Sequence, residues 1–581
     1  MKLKRLPLVC TFLSVVLTAV PQEYTNGVFI LNEDWFGHNN SSLNFLNPAS
    51  GQFDYEIVRN NDRNAEQKLS LGCTAQFGTV YGDRMYIMSK QDQDPGESGA
   101  VRGGRLVVAD ARTMEIIKSF PAIYEINGKS AADGRGFVGV NEQKGYVGTS
   151  NGIFVLDLDN LGIGQRIAGT ENPLITGGES NADGLGSLYR NQIGMMLRTQ
   201  DYVLAIQQDK GILVIDPETD TVQEVIEGCF STMAQSKDGT VWVGRNSNMD
   251  YQTYPYGNVG SSGEEWEGNQ LLKLNPATLA YEIVEMPYAA GINQTWYAWT
   301  AGSLCASTRQ NRLYFTFNAD RWSWFTCATM FMYDIDENTF YQIYDSNREN
   351  RYFYGASIRI NPLDDKLYAA LYIDNINQSY FIYQLDNEGN RLKVFEPIKR
   401  YWFPAMFIFP DAHAPVVDDF APVSIGSGQT LTIDLGTMAT DADNSVAAIT
   451  KRVVANSNET GLTASVRNNT LTLKAGQSPA GQITVRFNSN GKTVDKILTV
   501  AQGTPTSVPA PNPASITVTA QHGTIRVSGL QTETRVQVFN LYGQLVRSQT
   551  MKGSGSIAGL PAGQIYLIKA GDKTFKTTLQ P

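Results

Sequence analysis

The chain has 581 residues, 42% hydrophobic and 18% charged, with a formal net charge of −10. That length exceeds a single core and calls for several domains, while the acidic balance argues against nucleic acid, which attracts an excess of Lys and Arg. The three histidines, His38, His413 and His522, lie far apart, so no metal-ligand spacing arises, and no Gly-x-Ser-x-Gly elbow is present.

At the N-terminus Lys2, Lys4 and Arg5 precede an interrupted apolar run over residues 6–16 and a small-residue exit, Thr18-Ala19-Val20-Pro21. This pattern reads as a signal peptide over residues 1–21. Cys10 sits inside the apolar run, which speaks against lipoprotein processing there. No other segment approaches the ~20 apolar residues of a membrane span, so no transmembrane segment is expected.

From residue 27 the chain repeats itself. A short β-rich run ending in Asp or Asn, such as Leu106-Val107-Val108-Ala109-Asp110, recurs with its last residue at Asn47, Asp110, Asp157, Asp216, Asn275, Asp334 and Asp386. The terminal Asp and Asn read as turn formers. Upstream of several of these runs lie strand pairs around Gly82-Asp83, Asp238-Gly239 and Asp364-Asp365, which are hairpin signals. Four short strands per repeat at this period predict a β-propeller. The first repeat lacks an upstream strand, and Phe403-Pro404-Ala405-Met406-Phe407-Ile408-Phe409 supplies one from the far end. The expectation is a seven-bladed propeller over residues 27–411, closed by that late strand so that no edge is left open.

Function in such a ring belongs to its loops. Seven of the eight tryptophans fall in segments assigned to one face. Trp35, Phe36 and His38 follow the first strand, and Tyr251, Tyr254, Tyr256 and Trp266 occupy a long loop. Trp296, Tyr297 and Trp299 come next, then Arg321, Trp322 and Trp324. Tyr352, Phe353 and Tyr354 follow, and last Arg400, Tyr401 and Trp402. Aromatic rings gathered on one face suit a binding platform, with Arg321, Arg351 and Arg400 available to carboxylates or phosphates. The expected ligand-binding set is Trp35, Trp296, Trp299, Arg321, Trp322, Trp324, Tyr352, Tyr354, Arg400 and Trp402. The competing reading makes each ring a wedge between blades. Neither a catalytic set nor a cofactor is expected, apart from a bound small molecule as ligand. A lyase or hydrolase using His38 with a nearby Tyr or Glu is the enzymatic alternative.

Four cysteines follow the leader: Cys73, Cys229, Cys305 and Cys327. Buried thiols are favoured over bridges, and Cys305–Cys327, assigned to one repeat, is the pair to test. After Pro410 the texture becomes Thr-, Ser- and Val-rich, and residues 412–503 read as an Ig-like β-sandwich. Its Asp441-Ala442-Asp443-Asn444 loop reads as an acidic turn rather than a calcium site. Residues 504–510 form a Pro/Ser/Thr linker.

The last segment, residues 511–581, reads as a small β-sandwich. Pro511-Asn512-Pro513, then Val538-Phe539-Asn540-Leu541-Tyr542-Gly543-Gln544-Leu545-Val546, Leu560-Pro561-Ala562-Gly563 and the terminal Lys573-Thr574-Phe575 follow in order. Together they resemble the C-terminal sorting domain of type IX secretion cargo in Bacteroidota, with Gln564 inserted before Ile565-Tyr566. That resemblance implies export through the periplasm, the type IX machinery as partner, and a product released or held at the outer cell surface. In the propeller, Val28-Phe29-Ile30-Leu31-Asn32-Glu33-Asp34, Tyr86-Ile87-Met88-Ser89-Lys90 and 104–113 resemble the cobalamin-capturing surface propellers of Bacteroides. This implies nutrient capture, with a corrinoid-like molecule as ligand. A surface adhesin or glycan-binding protein is the non-enzymatic alternative.

Overall fold

In the computed structural model, the described residues are 23–175, 191–208, 210–228, 230–246, 269–286, 303–317, 326–373, 378–503, 516–521, 524–541, 543–561, 563–571 and 573–579. The signal-peptide expectation and the 504–510 linker lie outside them. The chain divides into two compact units, residues 1–501 and 502–581.

Between Val28 and Ile408 the first unit contains seven antiparallel sheets of four or five strands, in chain order apart from Pro404–Ile408 in the first sheet and Thr326–Cys327, which joins the last. The innermost strands touch one another in cyclic order, from Cys73–Tyr81 round to Arg351–Ile360 and Pro404–Ile408, which again meets Cys73–Tyr81. This is a propeller-like array. Pro404–Ile408 pairs antiparallel with Val28–Asn32, Phe29 opposite Ile408 and Leu31 opposite Met406. The late strand therefore completes the first sheet, as the missing upstream strand required.

The recurring Asp and Asn have a common local cause. In each repeat the side-chain Oδ1 accepts amide hydrogens two to four residues on: from Ala49 and Ser50 at Asn47, Arg112 and Thr113 at Asp110, and Asp159 and Asn160 at Asp157. Asp216, Asn275, Asp334 and Asp386 do the same. The turn then needs one residue in the left-handed region. Gly51, Met114, Leu161, Asp220, Leu279, Asn338 and Gly389 fill that place, with φ between 50° and 89°. The Asx side chain thus makes a tight turn that tolerates even Leu at positive φ.

Alternation along the strands puts Val, Ile, Leu and aromatic side chains between adjacent sheets. Cys305 is a free buried thiol, and burial pushes it up to about 11. The strand Thr326–Cys327 pairs with Phe353 and Tyr354 in the next sheet, so the assumption that Cys305 and Cys327 share a repeat fails.

Residues 416–502 build two further sheet layers, one of four strands and one of three, around Ile449, Leu471, Val485 and Phe487. They belong to the same compact unit as the seven sheets. The second unit is a sheet of Thr517–Gln521, Thr524–Phe539, Gln564–Ala570 and Lys573–Leu579, with Leu545–Ala558 also paired to Thr524–Phe539.

Candidate functional site

The two ends of the strand array have different fates. At the lower end, the first hairpin turns of three consecutive sheets dock on residues 411–492. Gly82 N donates to Asn490 O at 2.8 Å, Gln200 exchanges hydrogen bonds with the Lys451 backbone, and Asn468 N donates to Asp201. Glu142 receives both Arg452 and Arg486. Contact is so close that a Cβ on Gly491, whose φ is +90°, would lie 2.4 Å from Gly82 N. Only glycine allows that approach.

The upper end keeps its loops. Here Asp34 N and Glu33 N donate to Trp402 O and Phe403 O, both at 3.0 Å, joining the first strand's exit to the entry of the closing strand. Asp34, Thr74 and Phe403 hold φ of 59°, 55° and 47°. Positive φ is unfavourable for non-glycine residues and for β-branched Thr above all, so the backbone is strained at this end.

The aromatic residues expected here assemble into a ladder. His38 stacks on Trp35 at 3.5 Å, and Tyr401 lies against Trp35 at 4.5 Å. Tyr401 is parallel to Phe403, which contacts Tyr354 at 5.6 Å and Tyr380 at 6.0 Å. Tyr352 and Tyr354 both approach Tyr372. Trp35 is 43% exposed and Phe36 57%. The rungs therefore run from solvent inward. The loop carrying the outer rungs is fixed in advance, because Asp94 accepts from Gly37 N at 2.8 Å and Glu97 from Asn40 N at 3.2 Å.

Two members of the expected set are engaged elsewhere. Trp402 is 1% exposed, donates Nε1–H to Ile398 O at 2.9 Å, and stacks on Tyr55. Its ring is packing and offers no surface to a ligand. Arg400 bridges Asp34 and Glu56, each at 2.9 Å, and lies over Trp402. Its positive charge clamps the closing strand to the first loop. Arg351 is likewise used, packed on Phe381 and beside Glu349. Trp296, Trp299, Arg321, Trp322 and Trp324 lie outside the described residues.

The inner end of the ladder meets a group the sequence reading missed. Tyr354 OH donates to Glu33 Oε2 at 3.3 Å, and Gln76 Nε2 to Glu33 Oε1 at 3.2 Å. Burial pushes the Glu33 carboxyl up to about 8 against the opposing influence of Gln76, Lys90 and Tyr354. Burial, helped by Arg135, pushes the Lys90 ammonium down to about 8, while Asp133 and Glu33 act the other way. Asp34 is raised to about 7, again by burial, with Arg400 opposing. Arg135 completes this cluster, its Nε 2.6 Å from Gln192 Oε1 and its guanidinium 3.7 Å from Asp133. Perturbed ionisable groups from several elements, gathered in one buried cluster, make it a candidate functional site. The available signal was Glu33-Asp34 directly after the buried run Val28–Asn32, a place where charge costs free energy. Among the described residues no group of three His, Cys, Asp or Glu is arranged to hold a metal ion.

No curated protein matches the chain. Among solved structures, it is similar to a quinonprotein alcohol dehydrogenase-like protein of Bacteroides thetaiotaomicron, at 14% identity and a TM-score of 0.46, covering 67% of this chain and 79% of that one. It is also similar to the extracellular domain of a putative one component system from the same organism, at 12% and 0.34, covering 84% of this chain but only 57% of that one. A third likeness is to PorZ, a surface component of the type-IX secretion system of Porphyromonas gingivalis, at 11% and 0.29, covering 94% and 75%. Likenesses this distant say nothing about what the chain binds. A family model described as a domain of unknown function, DUF5074, matches residues 26–410, the span of the seven sheets, and the chain belongs to that family.

Proposed function

We propose that the protein is an exported, seven-bladed propeller that captures a ligand on its upper loop face without transforming it. One observation carries the reading. An aromatic ladder leads from exposed His38 and Trp35 to the buried Glu33 carboxyl, while the opposite end is covered by residues 411–492. Residues 412–503 act as an Ig-like brace. Residues 511–581 act as a type IX sorting domain that delivers the protein to the outer surface or the medium.

The ligand is a small molecule with a flat or ring-shaped face. A corrinoid is the first probe, because the segments around Asn32-Glu33-Asp34 and Tyr86–Lys90 resemble cobalamin-capturing propellers, and a glycan is the second. Binding to the folded state alone raises the melting temperature. The test is thermal shift of the full chain with cobalamin and a glycan panel, repeated on Trp35→Ala/Tyr401→Ala. Stabilisation that disappears in the double variant supports capture on this face. Stabilisation that persists there removes it.

Catalysis is the second reading, favoured by Tyr354 bonded to a carboxyl displaced to about 8, near the pH where a general base works best. Conversion of a bound probe by the wild type, abolished in Glu33→Gln, would replace capture with chemistry.

A further inference from the structure

We propose that the loop Asp441-Ala442-Asp443-Asn444 holds a calcium ion, with Asp441 and Asp443 as its carboxylate ligands, and that the ion locks residues 411–492 onto the lower turns. The loop is then more than the acidic turn its sequence suggests. The site does not depend on what the upper face binds.

The turn uses one oxygen of each carboxylate and leaves the other over. Asp441 Oδ1 accepts from Asp443 N at 2.7 Å and from Asn444 N at 3.1 Å. Asp443 Oδ2 accepts from Ala412 N at 2.9 Å, His413 N at 2.7 Å and His413 Nδ1–H at 2.9 Å. The second oxygens, Asp441 Oδ2 and Asp443 Oδ1, are buried with no hydrogen-bond partner among the described residues, and Asp443 as a whole is 6% exposed. A buried carboxylate oxygen without a donor is costly. Two of them, two residues apart on one loop, call for a positive partner. Lys492 does not fill that place, because its ammonium is taken by Gly82 O, Asp411 O and Asp411 Oδ1 at 2.8, 2.8 and 3.1 Å.

Two hard anionic oxygens suit calcium, which completes its shell with carbonyls and water and accepts irregular geometry. Magnesium demands a near-ideal octahedron, and zinc prefers nitrogen and sulfur. Two carboxylates are fewer than the groups of three that the described residues lack, so carbonyl oxygens and water supply the remainder. The position explains the lock. Asn444 Nδ2 and Asn490 Nδ2 both donate to Asp411 Oδ2, at 3.0 and 2.7 Å, and Asn490 Nδ2 also reaches Val80 O at 2.8 Å. An ion that fixes residues 441–444 therefore fixes the chain where it leaves the seven sheets.

The experiment uses the full chain, stripped with EGTA and titrated with calcium or magnesium chloride. Calorimetry reads affinity, and thermal unfolding with limited proteolysis near residues 411–422 reads the junction. Calcium should bind, raise the melting temperature and protect the junction, with magnesium at least ten-fold weaker. Asp443→Asn should weaken calcium ten-fold or more. Asp441→Asn should do the same while keeping an oxygen for the turn amides, which guards against misfolding of the Asp443 variant. Asp419→Asn, at an exposed carboxylate paired with Lys496, should leave binding unchanged. No calcium binding by the stripped chain, binding indifferent to both Asp441→Asn and Asp443→Asn, magnesium bound as tightly, or calcium bound without change in melting temperature or cleavage overturns the proposal.

Discussion

At the lower end of the array, the turns at Gly82, Glu142 and Gln200–Asp201 are short, and their polar groups are spent on backbone and side chains of residues 411–492. At the upper end, residues 33–41, 89–105 and 400–403 are longer and carry exposed rings beside buried charges. The same sheets feed both ends, so the contrast is not imposed by the fold. One end is covered by residues 411–492, and the other keeps aromatic surface in solvent.

The largest expected effect breaks the frame that supports both ends. A chain ending at Lys399 loses Pro404–Ile408, exposes the edge of Val28–Asn32, and uncovers Phe29 and Leu31. It should aggregate or lose its cooperative unfolding transition, read by calorimetry and size-exclusion chromatography. A chain ending at Ala412 keeps the pairing and should stay folded.

Next, Trp402→Ala and Trp35→Ala separate packing from site at the upper end. Burial of Trp402 predicts a loss of about 3–5 kcal/mol on removing the ring. Exposed Trp35 should cost far less, about 0.5 kcal/mol, the range of surface changes. Denaturant unfolding of the two variants measures both, and equal losses would erase the distinction between ladder and wedge.

At the lower end, Gly491→Val places a side chain against Gly82 at positive φ and should part the brace from the turns. Limited proteolysis should then cut near residues 411–422 while the seven sheets survive. Retained protection there would mean that the close approach is not what holds the brace.

The smallest effect is a pH slope. Glu33 is raised above its ordinary value, so its contribution to stability is complete at low pH and is lost as pH rises through about 8. Lys90 is lowered, so its contribution is present at high pH and is lost as pH falls through about 8. Glu33→Gln should therefore flatten the decline between about pH 5 and 8. Urea midpoints across that range read the change.

Much of this frame was legible in residues. Asn47, Asp110 and their later counterparts announced the turns, and the apolar run before Pro410 announced the closing strand, because both signals are local or set by period. Trp402 and Arg400 were harder. A loop position and an aromatic or cationic side chain do not reveal that Ile398 O receives the indole, or that Asp34 and Glu56 receive the guanidinium. Those partners lie either next door or hundreds of residues away, and only the closed ring brings them together. Glu33, Lys90 and Arg135 were missed for the same reason: their significance is burial together, and each alone reads as a charge at a strand end.

The central claim is that the upper face binds and the lower face braces. It is tested most directly by calorimetric affinity for whichever of cobalamin or a glycan stabilises the full chain, compared between Trp35→Ala and Glu142→Ala. The account predicts at least ten-fold weaker binding for Trp35→Ala at nearly unchanged melting temperature, and unchanged affinity for Glu142→Ala. The reverse pattern, with affinity lost at Glu142 and kept at Trp35, would contradict it.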